Sequence, residues 1–377
     1  MRILTKMLLK EVLISSLFVT VALVALFAFF DLIGQAGDIG SQYSILQAFI
    51  LTSLVLPTRC YEVLPIAAIL GAVFTLAKLA ANSEFTVMRT SGLSPWRLCG
   101  MLMIPGIILV GFSYFMGEFV APPAQHLAKE FKLDLSGRSF TGKGFDSGIW
   151  VREVQRNDQR EPTQVSFVNV KSLKPGEAAF NWQIFIFNNK NTLTGIIKAK
   201  QGVYTPEDGW VLHDVDITKI PDIPKDFKGQ TDKKVEKEKL KQYVWGKGLD
   251  GNIFGLMMIK PEDMALKELS KYITHLRDNG QRTKLYESAF WSKVYYPLAI
   301  LVMLVLAMPF AYLNARSGGI AIKIFFGIMI GILFYALNNL FSFMSTLSAI
   351  PSYISALIPS FIMLSLAAIV MYFVEKR

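Results

Sequence analysis

The sequence predicts a membrane α-helical fold, six transmembrane helices in 3+3 order, with an all-β domain of jelly-roll or β-sandwich-like type inserted between the halves. Six stretches, roughly 12–33, 61–81, 98–120, 294–314, 320–342 and 352–374, are mainly apolar, and about 20 such residues cross a hydrocarbon layer of about 30 Å. A mostly polar block, roughly 121–290, separates the third stretch from the fourth. Within that block the apolar period shortens to two. Three domains follow: residues 1–120 with spans 1–3, residues 121–290 as the β-rich insert, and residues 291–377 with spans 4–6. The 377 residues are 52% hydrophobic and 18% charged. That balance fits a polytopic chain with one folded soluble domain, not a soluble enzyme with an apolar tail.

Span 1 follows a basic start, Met1–Lys10, and runs to Phe29-Phe30-Asp31. This is too long for the apolar core of a cleaved signal peptide, so the span is retained. Short flanks set orientation because Lys and Arg resist translocation. Arg2, Lys6 and Lys10, then Lys78, Arg89 and Arg97, then Arg316 and Lys323, then Lys376 and Arg377 fall on one side of a six-span chain. That side is cytoplasmic, with both termini on it, and the large insert is periplasmic in a Gram-negative cell. Arg59 and Glu62, three apart near the outer end of span 2, pair with each other. Gly327 and Gly331 make a small-xxx-small seam in span 5. The seam serves either a second membrane subunit or packing within the chain. Cys60 and Cys99 have no metal or redox spacing and read as buried packing residues.

In the insert, Val165–Val170, Trp182–Phe187 and Val211–Ile217 alternate as strands, with turns at Lys174-Pro175-Gly176, Asn188–Asn191 and Pro206–Gly209. The charged run Lys225–Lys241 reads as a solvated loop or exposed face. Pro261–Asn279, with Met264, Leu266, Leu269, Ile273 and Leu276 at helical spacing, reads as a helix returning to the membrane. Gly137-Arg138-Ser139-Phe140-Thr141-Gly142-Lys143 imitates a phosphate-binding loop, but Gly144 stands where the Mg²⁺-binding hydroxyl belongs. The three histidines are scattered and offer no metal spacing. The expectation is a non-catalytic chain with no cofactor of its own.

The 2–3 loop, Asn82–Gly92, has a helix start at Ser83, an acidic first turn at Glu84 and a glycine stop at Gly92. Phe85, Met88 and Arg89 share a face at i, i+3 and i+4. Such a short amphipathic helix either fits a socket on a cytoplasmic partner or lies on the lipid surface.

Tyr61-Glu62-Val63-Leu64-Pro65-Ile66-Ala67-Ala68-Ile69-Leu70-Gly71 and Leu79-Ala80-Ala81 followed by Asn82–Gly92 resemble the lipopolysaccharide export permeases LptF and LptG (YjgP/YjgQ). Gly117-Glu118-Phe119-Val120-Ala121-Pro122 and Trp291-Ser292-Lys293 add to the likeness, which covers the whole chain and is nearer the LptG branch. The resemblance implies a permease subunit of an ABC transporter in the bacterial inner membrane. It would extract lipopolysaccharide for outer membrane biogenesis and pass it to a periplasmic bridge. The implied partners are a second, LptF-like permease, an LptB-like ATPase dimer that binds the ATP and Mg²⁺, an LptC-like membrane-anchored protein and an LptA-like bridge, with no nucleic acid. It makes the 83–92 segment a coupling helix, with Glu84, Phe85, Val87, Met88, Arg89 and Gly92 facing the ATPase. It also places Lys129 and Lys132 at cargo-binding positions. Asp31 stands where relatives often carry lysine, and Lys293 approaches span 4 with Arg282 and Lys284. These complete the expected set of cargo contacts at the outer membrane face, where cations suit a phosphorylated head group. One face of the sheet, through Phe167, Val168, Val170, Ile184 and Ile186, is either a lipid groove or the domain core.

The principal alternative is a membrane-anchored sensor or assembly factor with a ligand-binding periplasmic domain. The cytoplasmic segments are too short for a sensor's output domain. A secondary transporter would carry ionisable residues at mid-membrane, whereas the charges here cluster near span ends.

Overall fold

The computed structural model describes residues 2–37, 39–40, 44–135, 148–156, 162–174, 178–205, 207–221, 234–246, 253–257, 259–312 and 319–375. The imitation phosphate loop at 137–143, the 174–176 turn beyond Lys174, Arg316, Lys376 and Arg377 lie outside them. The chain divides into two compact units: 1–128, 261–270 and 283–377 in one, and 129–260 with 271–282 in the other.

The first unit is helical. Helix α1 (Arg2–Gln35) and helix α2 (Ile45–Ala81) form an extended hairpin. A capping box starts α2: Ser44 Oγ accepts from the Gln47 amide, and Gln47 Oε1 accepts from the Ser44 amide. Span 2 therefore begins well before residue 61. The sequence hides this because Pro57, Arg59 and Glu62 interrupt the apolar run. Helix α3 (Glu84–Thr90) follows, then α4 (Pro95–Phe115), whose first turn is capped by Ser94. A π-helical turn, Met116–Val120, joins α4 to α5 (Ala121–Leu135) without a break. Helix continues from Pro95 to Lys132, so the expected boundary at 120 falls within it.

Among the described residues, five helices are long and apolar enough to cross a membrane, and a bent pair makes up to six. The pair is Lys284–Tyr295 (α8) and Ala299–Tyr312 (α9, Ala299–Ala307, and α10, Pro309–Tyr312), bent by 47°. Pro297 explains the bend, because it lacks the amide that would bond back one turn. The amides of residues 298–301 bond three residues back instead. Helices α11 (Ile320–Leu347) and α12 (Ser352–Glu375) complete the unit. Most of the second half of α2 is buried, whereas α1, α11 and α12 leave most of their apolar side chains exposed. Leu64, Ile69 and Leu76 of α2 join Leu98 and Leu102 of α4, Met303 and Leu304 of α9, and Phe334 of α11 in one core. Gly327 and Gly331 settle their open reading. A Cβ at Gly327 would lie 3.1 Å from Leu70, and one at Gly331 3.0 Å from Ile66, so the seam packs α11 on α2 within this chain. Cys60 and Cys99 are free and half-buried, less enclosed than expected.

The second unit contains a six-stranded antiparallel sheet: β1 (Ile149–Arg156), β2 (Pro162–Lys174), β3 (Ala178–Asn188), β4 (Leu193–Thr205), β5 (Gly209–Lys219) and β6 (Glu236–Gly246), paired in sequence order. The three expected strands lie in β2, β3 and β5. The inserted all-β domain is thus present. Among the described strands the connectivity is a meander, without the crossover of a jelly roll. Val168↔Ile184 and Ile184↔Ile197 are register partners, and with Val151, Val170 and Leu212 they line one buried face. Trp182, Trp210 and Phe254 of α6 (Ile253–Met257) close it, with ring centroids 4.9–5.5 Å apart. Val168, Val170 and Ile184 therefore fill core, and Phe167 faces the other side, in an edge-to-face pair with Phe187. The described end of the charged run is not a loop: residues 236–241 belong to edge strand β6. Exposed cross-strand pairs Lys239–Asp216 and Lys219–Glu238 tie it to β5. The expected returning helix appears as one 3₁₀ turn, Pro261–Asp263, followed by α7 (Leu266–Asp278).

Candidate functional site

Helix α3 is seven residues long, too short to persist alone, so its neighbours must hold it. Its entry differs from the sequence reading. Ser83 adopts a left-handed conformation at φ 62° and makes no side-chain cap. Only Asn82 and Ser83 separate α2 from α3, and the reversal between them requires that strained residue. Asn82 Nδ2 instead donates to Glu84 Oε1 at 3.2 Å, leaving the Glu84 carboxylate in the first turn, where the helix dipole favours it. The exit is as expected. Gly92 has φ +90°, its amide bonds Arg89 O at 2.9 Å, and the Leu93 amide bonds Met88 O at 3.1 Å. This paired closure needs a residue that tolerates positive φ.

The helix faces divide differently from the expectation of Phe85 as an anchor offered to a partner. Phe85 is 3% exposed and belongs to this chain's own core, meeting the Tyr312 ring edge-on at 5.0 Å and 79°. Met88 packs against the same core. Arg89 is exposed but lies over the Tyr312 ring at 5.0 Å. Glu84, Thr86, Val87, Thr90 and Ser91 face outward, with Val87 63% exposed. Trp96, in the first turn of α4, is 88% exposed. Sequence reasoning missed it, although Ser94-Pro95-Trp96 directly after the loop marks a presented aromatic.

The expected cargo contacts fare unequally. Asp31 is engaged: its carboxylate accepts from Arg59 Nη2 at 2.8 Å and Nε at 3.0 Å, a bidentate pair, and Arg59 Nη1 donates to Glu62 at 2.9 Å. The Arg59–Glu62 pairing expected from spacing is present, with Asp31 as third member. Lys293 does not offer its ammonium outward. It is 9% exposed and donates to Met264 O, with Glu118, Asp263 and Glu268 acting on it electrostatically. Three carboxylates act on this ammonium and a carbonyl accepts from it, so Lys293 serves as a tie within its own chain. Lys284 is likewise engaged, donating to Ser348 O at 2.7 Å and Ile350 O at 2.9 Å just past the end of α11. Glu118, in the π-helical turn, accepts from the Leu266 amide at 2.8 Å and so caps α7. Burial raises the Glu268 carboxyl, but hydrogen bonds from His126 and the Ala265 amide outweigh it and hold it below its usual range. Lys132 is exposed and Lys129 half-buried, both on α5.

A family model for the lipopolysaccharide export system permease LptF/LptG matches residues 6–372. The chain belongs to the LptF/LptG family. Its relatives include the lipopolysaccharide export system permease protein LptG of Haemophilus influenzae, 28% identical over 341 residues that cover 90% of this chain and 89% of that protein. The LptG proteins of two Escherichia coli strains are 28% identical over 347 residues, 92% of this chain and 90% of theirs. The likeness read from the second-span and loop residues thus holds along nearly the whole LptF/LptG-type chain, including the apolar helices and the inserted β domain.

Proposed function

We propose that this chain is the non-catalytic permease subunit of an ATP-driven lipopolysaccharide exporter in the bacterial inner membrane. In this reading both termini are cytoplasmic and the β domain is periplasmic. A separate ATPase dimer docks at α3, a second permease completes the membrane conduit, and the cargo passes to a membrane-anchored periplasmic protein and a bridge. Family membership supports the cargo class. The observation that carries the coupling role is the division of α3: Phe85 fastens the helix to its own bundle while Glu84 and Val87 stay presented beside Arg89. Moving an acyl chain from lipid to water costs roughly 0.8 kcal/mol per CH₂, so a multi-chain lipid needs an external energy source. The basic side chains of Lys129 and Lys132 supply head-group charge, in place of the lysines that Asp31 replaces.

Complexes carrying Glu84→Lys or Val87→Glu are the test, because both side chains are exposed and outside the core. Loss of co-purifying ATPase, or of transport per ATP, is expected with unchanged thermal stability. Full assembly and transport in both variants would remove α3 as the docking element.

A further inference from the structure

Helix α3 is joined covalently only to α2 and α4, through residues 82–83 and 91–94. Any influence of α3 on the second half of the bundle must travel through side chains. One residue there holds two of its side chains: the Tyr312 ring takes Phe85 edge-on at 5.0 Å and the Arg89 guanidinium at 5.0 Å. Phe85 and Arg89 are four apart, on one face, so a tilt or roll of α3 acts on that ring from two points. Tyr312 belongs to α10, a single turn set apart from α9 at Met308 and begun by Pro309. Its amides bond three residues back, Met308 to Val305 and Ala311 to Met308, each at 3.0 Å. Such a turn can shift as a unit, because proline has cut the ladder that would bind it to α9. Phe310, in the same turn, is reached from span 5. Lys323 of α11 is 4% exposed, and its ammonium donates to Phe310 O at 3.4 Å. This hydrogen bond joins α11 to α10.

We propose that Tyr312 and Lys323 are positioning residues for coupling: Tyr312 passes displacement of α3 to α10, and Lys323 passes it from α10 to span 5. The inference rests on α3 being the ATPase-docking element. Phe85 and Arg89 both meet the ring of Tyr312, which Tyr312→Phe keeps. The contact at Lys323 is to a backbone carbonyl, so only a side-chain donor of similar reach preserves it.

The test uses the full complex in proteoliposomes loaded with lipopolysaccharide, reading retained ATPase, ATP hydrolysis and transport per ATP. Tyr312→Leu and Lys323→Met are expected to retain ATPase and hydrolysis while transport per ATP falls about fivefold or more, the low end of a single coupling free energy. Tyr312→Phe and Lys323→Arg are expected to stay within about twofold of the unaltered complex. A purely structural role would instead lower assembly and hydrolysis together. Should Tyr312→Leu fail to assemble, Lys323→Met decides, because it alters neither α3 nor the two side chains on the Tyr312 ring. Normal transport per ATP in Lys323→Met, or an equal loss in Tyr312→Phe and Tyr312→Leu, overturns the inference. If the unaltered chain itself retains no ATPase, the docking reading fails and takes the inference with it.

Discussion

Phe85 shows how one side chain decides what a loop presents. The ring is buried against its own bundle, so truncating it removes both the burial and the edge-on contact with Tyr312. Phe85→Ala should cost about 3–5 kcal/mol, the usual price of a core Phe truncation. The local consequence is undocking of α3, read as loss of amide protection over residues 84–91 in hydrogen exchange, with the β domain unchanged. Retained protection would mean that the covalent links alone hold the helix. In the insert, Glu153 lies on the buried apolar face of β1 and accepts from the Trp245 indole at 2.9 Å. Burial raises its carboxyl above the usual 4.5, with the Trp245 hydrogen bond opposing. The folded state therefore holds the proton more tightly than the unfolded chain. That contribution to stability is present below pH 4.5 and is lost as pH rises through the raised folded value. Glu153→Gln keeps the indole's acceptor and cannot ionise. The variant and the unaltered protein should unfold at similar temperatures below pH 4.5, and the variant should gain as pH rises toward neutrality. A pH-independent difference would contradict the buried carboxyl.

Packing between elements explains both what the sequence revealed and what it concealed. Spans 5 and 6 were legible within a few residues because their apolar runs are unbroken. The long start of α2 was not: Pro57, Arg59 and Glu62 read as an interruption, and the distant Asp31, reaching Arg59 from α1, joins Glu62 in pairing that guanidinium. Strand β6 was hidden for a related reason. Both of its faces carry charge, so neither alternation nor apolarity marked it. Edge position suits such a strand, since charged side chains deter pairing with another sheet. The orientation of α3 was beyond local reading because Phe85 packs into a core drawn from distant parts of the chain, Tyr312 among them. The two-glycine seam could be seen but not assigned. Gly331→Val should destabilise the bundle by about 1–3 kcal/mol through overpacking against Ile66, lowering its thermal midpoint in detergent. Gly100→Ala, which meets nothing within 4 Å, should leave that midpoint in place. Equal midpoints in the two variants would show that the seam is looser than 3.0 Å implies.

At the scale of the whole molecule, the helical unit has apolar surface only partly covered by its own chain, whereas the apolar face of the β unit is filled. Exposed rows such as Leu17, Phe18 and Val21 on α1, and Phe325, Phe326 and Met329 on α11, suit lipid, cargo or a second permease. The proposed topology, drawn from the flanking cations, is open to direct labelling. Single cysteines placed in a Cys-free background at Lys190, in the β3–β4 turn, and at Val87 should label from opposite sides of intact spheroplasts, the first from the periplasm. The claim on which all of this depends is that the chain is a passive wall moved by a separate motor docked at α3. Affinity purification from native membranes in mild detergent, followed by identification of every subunit and an ATP hydrolysis assay on the isolated chain, tests it most directly. An ATPase and a second 3+3 permease are expected to accompany this chain, with no hydrolysis by the chain alone; a chain that purifies by itself and turns over ATP would contradict the passive-wall role.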